Sequence, residues 1–90
     1  MTNKRKQRTQ PTIQLTYDDR NYATIPQEEW LYIAEAVAKV VSGDNLTGLH
    51  YEPDLRPYDA ALLAVEDANY FVSDKYKALN WVEWKALLKF

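Results

Sequence analysis

Between Pro26 and Gly43 the apolar residues Trp30, Ile33, Ala34, Val37, Val40 and Val41 recur at spacings of three and four. That period places them on one side of an α-helix, with Glu28, Glu35, Lys39 and Ser42 opposite. Both ends carry boundary chemistry. Pro26 suits the first helical position, where its missing N–H leaves no bond unmade, and Glu28 and Glu29 oppose the positive end of the helix dipole. Gly43 suits the left-handed residue that closes a helix. The spacing therefore predicts a helix over 26–42, whose apolar stripe must be covered by the rest of a 90-residue chain.

Upstream, Thr12 to Tyr17 alternates with period two, placing Ile13, Leu15 and Tyr17 on one face. Asp18-Asp19-Arg20-Asn21 supplies turn residues, and Tyr22 to Ile25 reads as a returning strand. The expectation is a β-hairpin over 12–25 laid on the helix, since a lone hairpin is marginal in water. Residues 44–56 contain Gly48 and Pro53 and read as an ordered loop, with a short third strand near 49–52 as the alternative. Pro57 opens a second helix, with Tyr58, Ala61, Leu62, Val65, Ala68 and Val72 on its buried face and Leu63, Ala64 and Phe71 widening it. Ser73 followed by Asp74 marks a break and a new N-cap, and 75–90 is helical by propensity, interrupted near Asn80. The fold expected is α+β and helix-dominated: a flexible basic arm over 1–11, then one domain over 12–90, its N-terminal hairpin packed on about three helices.

A core this small needs bulky side chains, because a chain of this length buries only about 60–65% of its unfolded surface. Three Trp, seven Tyr and two Phe supply them. There is no cysteine, which favours a reducing, cytoplasmic setting over a secreted one. No apolar run reaches the roughly 18 residues of a membrane span, and the first ten residues lack the apolar stretch of a signal peptide. The sequon at Asn45-Leu46-Thr47 is read as accidental in that setting.

Catalytic signatures are absent. His50 is the only histidine, so no His-paired metal site exists in one chain, and Gly43 and Gly48 do not make a phosphate-binding loop. Asp54, Asp59, Glu66 and Asp67 are better explained as a solvated acidic face than as a metal cluster. The chain is read as a non-enzyme, with no cofactor and no metal.

Three features concern partners. In the C-terminal segment Trp81, Trp84 and Leu88 share one helical face, while Leu79, Val82, Ala86 and Phe90 share another. The tryptophan set is either core or a binding surface, since Trp is enriched both in small cores and at interfaces. The loop 50–59 alternates Tyr51, Leu55 and Tyr58 with charges that include Asp54 and Asp59, stiffened by two prolines. Lys4, Arg5, Lys6 and Arg8 make the first eight residues basic, although the net charge of the whole is −2.

The leading expectation is a non-catalytic protein-binding domain, an adaptor, regulator or inhibitor of a larger protein, acting through Trp81, Trp84 and Leu88 or through Tyr51, Asp54, Tyr58 and Asp59. One alternative is a nucleic-acid-associated protein that touches phosphates through Lys4, Arg5, Lys6 and Arg8. Another is an acidic mimic of a phosphate backbone that inhibits a nucleic-acid-binding enzyme. Self-association remains open beside these, and no membrane partner is expected.

Overall fold

The computed structural model describes residues 15–46 and 48–90, and these form a small all-helical domain. Its elements are α1 (Gln27–Ser42), α2 (Pro57–Asp67), α3 (Asp74–Lys77) and α4 (Trp81–Leu88). No helix among the described residues is long and apolar enough to cross a membrane.

The caps explain where each helix stops. Pro26 stands just before α1, and its carbonyl accepts from the Trp30 N–H at 3.0 Å to start the ladder. Gly43, at φ 81°, ends α1 by donating to the Lys39 carbonyl at 2.8 Å. α2 begins with Pro57 in its first turn and ends earlier than the apolar pattern suggests. Asn69 takes φ 70°, so its N–H reaches the Glu66 carbonyl and the Tyr70 N–H reaches that of Val65. This paired arrangement is the Schellman closure, and Asn tolerates it better than most residues. Val72 is still buried, but from the extended connection after α2, and Phe71 beside it is 86% exposed. α4 opens on a reciprocal capping box: Asn80 Oδ1 accepts from the Glu83 N–H, and Glu83 Oε1 accepts from the Asn80 N–H, both at 2.9 Å.

The stripe of α1 is Trp30, Ile33, Ala34, Val37 and Ala38, all fully buried, while Val40 turns outward. It packs chiefly on α2 through Tyr58, Ala61, Leu62 and Val65; α4 touches α1 more lightly. Trp81 and Trp84 close the core from the other side. Tyr58 stacks against Trp81 at 6.1 Å, and Tyr76 stacks against Trp84 at 5.8 Å.

The expected N-terminal β-hairpin is not formed, so the α+β assignment is corrected to all-helical. Residues 12–14 of its first strand lie outside the described residues, as does the basic arm over 1–11. Leu15 to Asp18 forms no regular element, and Asp19 to Ile25 is a series of turns and bends rather than a returning strand. The reason lies in where the backbone donors go. The N–H groups of Thr16 and Tyr17 donate to Glu29 Oε2 at 2.7 and 2.8 Å, and the Thr16 hydroxyl donates to Oε1 at 2.8 Å. The Thr16 carbonyl accepts from Asn21 Nδ2, and the Tyr17 carbonyl accepts from the Trp81 indole N–H at 3.2 Å. Side chains take the groups that a partner strand would need, and a charged acceptor is the stronger competitor. The alternative third strand near 49–52 is also absent; that stretch is loop.

Candidate partner-binding surface

The connection from α1 to α2 is irregular but pinned. Leu49, Tyr51 and Leu55 pack against the core, with Tyr51 edge-on to Trp30 at 5.3 Å. Trp30 donates its indole N–H to the Leu55 carbonyl at 3.0 Å, and Leu55 donates its own N–H to the Glu52 carbonyl at 3.0 Å. The second bond closes a β-turn with Pro53 at its first corner, where a fixed φ is favourable. Asp54 rides at the tip of this turn, exposed.

Beyond the turn lies a polar cluster that ties the N-terminal segment to α2. Asp19 Oδ1 accepts from the hydroxyls of Tyr17 and Tyr58 at 2.9 and 2.8 Å. Arg56 donates to Asp59 Oδ2 at 2.7 Å, approaches Asp19 at 3.9 Å and lies over the Tyr58 ring at 4.8 Å. Burial, and then the hydrogen bonds to Asp19, push both phenols well above the ordinary tyrosine range. The hydrogen bond to Asp59 raises Arg56 further. These groups bond one another and so clasp the N-terminal segment to α2. Among the described residues no three His, Asp or Glu side chains converge as metal ligands.

The sequence candidates therefore separate. Tyr58 is buried and Tyr51 half-buried, both spent on packing. Asp59 is engaged by Arg56 at 2.7 Å. Asp54 is open to solvent. Trp84 is fully buried and Trp81 is 5% exposed, so the tryptophan face lies in the core, and Leu88 is half-buried at its edge. The Trp84 indole N–H has no hydrogen-bond partner among the described residues. The other set divides: Val82 is 76% exposed and Ala86 is exposed, whereas Leu79 packs against the core and Phe90 stacks on Tyr32 at 5.5 Å. Lys4, Arg5, Lys6 and Arg8 lie outside the described residues.

What the structure adds is a groove of about 300 Å³ between the loop and the outer face of α2. Gly48, Leu49, His50 and Glu52 form one wall, and Ala60, Leu63, Ala64 and Asp67 form the other. Leu63 is 51% exposed and offers an accessible apolar side chain, while Glu52 and Asp67 bring one carboxylate to each wall. Sequence reasoning assigned Leu63 and Ala64 to the buried face. The signal that separates them is register: Ala60, Leu63, Ala64 and Asp67 recur at three and four, offset from the Tyr58, Ala61, Leu62 and Val65 stripe.

Comparison with known proteins leaves this geometry to speak for itself: no family model, no curated protein and no solved structure matches the chain.

Proposed function

We propose that this chain is a small non-catalytic protein-binding domain, an adaptor, regulator or inhibitor of a larger protein, which receives a basic segment of that protein in the groove between residues 48–52 and α2. The observation that supports this reading is the groove itself, which exposes Leu63 between two walls that each carry an acid. At about 300 Å³ it sits at the small end of ligand pockets and suits one or two apolar side chains of a peptide. Glu52 and Asp67, with Asp54 near by along the loop, favour lysine or arginine beside those side chains and speed the encounter electrostatically.

The experiment is an amide chemical-shift titration of the full chain with a peptide that alternates leucine and lysine. Binding in the groove shifts Leu49, His50, Leu63 and Ala64 and weakens as salt rises. Leu63→Asp removes those shifts and leaves the spectrum dispersed, since Leu63 is half outside the core. Shifts confined to another face, or none at millimolar peptide, would falsify the reading.

A further inference from the structure

The chain carries a basic segment of its own. Residues 1–14 hold Lys4, Arg5, Lys6 and Arg8 and no acid, whereas residues 15–90 hold seven cations against thirteen acids. We infer that residues 4–8 dock in cis on the acidic walls of the α2 groove and compete there with the partner; this rests on the groove reading above.

Charge selects this surface over the others. Six acids lie between Asp44 and Asp67, and the one cation among them, Arg56, is taken up by Asp59 and Asp19. Asp44 accepts from the Tyr70 hydroxyl at 2.6 Å and Glu66 is paired with Lys77 at 2.9 Å, which leaves Glu52, Asp54 and Asp67 as the acids that an incoming cation meets. A second concave surface, lined by Tyr32, Glu35 and Leu88, carries Lys39 within it. α4 sets Lys85, with Lys89 at its end, against Glu83 alone and offers a basic segment no acidic excess. The depression beside Pro26 offers only Glu28.

Reach is sufficient. Thr16 and Tyr17 are fixed on Glu29, so the tether starts from a defined point. At about 3.5 Å per extended residue, the chain between allows Arg8 a reach of roughly 28 Å from Thr16 and Lys4 roughly 42 Å. A folded body of this size is roughly 30 Å across. A tether this short holds the segment at an effective concentration on the order of millimolar, so weak ion pairs suffice to populate the docked state. A tighter basic partner then displaces it.

The absence of cysteine makes the test direct. Gln7→Cys places a single nitroxide label among the four cations without removing any of them. In the full chain, self-docking predicts that the amide signals of Leu49, His50, Leu63 and Ala64 lose more than half their intensity, while those of Glu35 and Lys39 persist. The loss vanishes near 1 M salt, where the screening length is about 3 Å, and in the Glu52→Gln/Asp67→Asn variant. It also survives dilution of labelled protein into an excess of unlabelled protein without isotope, which marks it as intramolecular. Broadening spread evenly over the surface, or broadening that appears only between molecules, overturns the inference. If the leucine–lysine peptide binds the groove but the nitroxide leaves it sharp, self-docking alone fails; if neither reaches it, the groove reading fails too. Replacing Lys4, Arg5, Lys6 and Arg8 together by Gln should tighten peptide binding several-fold, and unchanged affinity would also overturn the competition.

Discussion

At the scale of single residues, the fold is held at its N-terminal side by two carboxylates doing unlike jobs. Glu29 is nearly buried and receives three hydrogen bonds, two of them from backbone N–H groups. Asp19 is partly exposed and gathers two phenols and a guanidinium. The second arrangement has a readable pH signature. Tyr17 and Tyr58 are held above the ordinary value of 10.0 by burial first and by Asp19 next. Above pH 10 the unfolded chain therefore loses these protons while the folded one retains them. The unfolded state then binds fewer protons, so stability is complete below about pH 10 and falls as pH rises past it. A phenolate absorbance titration should show part of the tyrosine signal delayed until the far-ultraviolet dichroism collapses, and Tyr58→Phe should shrink that delayed part. A smooth titration of every tyrosine with dichroism intact would contradict the clasp. The burial of Tyr58 on the second helix was legible in the apolar pattern, but its bond to Asp19 was not, because Asp19 was read as hairpin-turn chemistry.

Among elements, boundary chemistry proved the most legible feature. Gly43 closes α1, Pro57 opens α2, Ser73 precedes α3 and Asn80 caps α4, each a local signal with a local consequence. Asn69 was missed because a left-handed asparagine leaves no apolar trace, and the pattern runs through it to Val72. The hairpin failed for a different reason. Alternation at Ile13, Leu15 and Tyr17 reports which side of an extended segment is buried, but not who accepts its backbone hydrogen bonds; that acceptor sits on α1, twelve residues beyond Tyr17. The short helix α4 tests how far local and tertiary contributions separate. Asn80→Ala removes one half of a cap and should cost about 1 kcal/mol. Trp84→Ala removes a fully buried indole between Tyr58 and Tyr76 and should cost about 3–5 kcal/mol, a large share of a small domain's stability. Urea midpoints of the two variants should differ accordingly. Comparable losses would mean that α4 owes its position to its cap rather than to the core.

For the molecule as a whole, the helices are unequal partners. α1 and α2 share the main interface, whereas α4 meets α1 only lightly and enters the core through Trp81 and Trp84. Tyr17 joins these three. Its N–H goes to Glu29 on α1, its hydroxyl shares Asp19 with Tyr58 of α2, and its carbonyl receives the Trp81 indole while its ring stands edge-on to Trp81 at 4.7 Å. A residue so placed couples α4 to a pair of helices that has its own stripe of contacts. Loss of the Tyr17 ring should therefore be felt unevenly. In Tyr17→Ala, amide exchange in α4 should accelerate by an order of magnitude or more through local opening, while the middle of α1 retains protection set by global unfolding. The variant keeps its backbone bonds to Glu29, so the N-terminal segment itself need not detach. Equal acceleration everywhere would show that the domain unfolds as one unit and that Tyr17 contributes only bulk. Uneven acceleration would locate the easiest motion at the α4 side and leave the α2 groove on the rigid half. A rigid groove fits the proposed role, because a preorganised docking surface need not be ordered again each time a basic segment arrives.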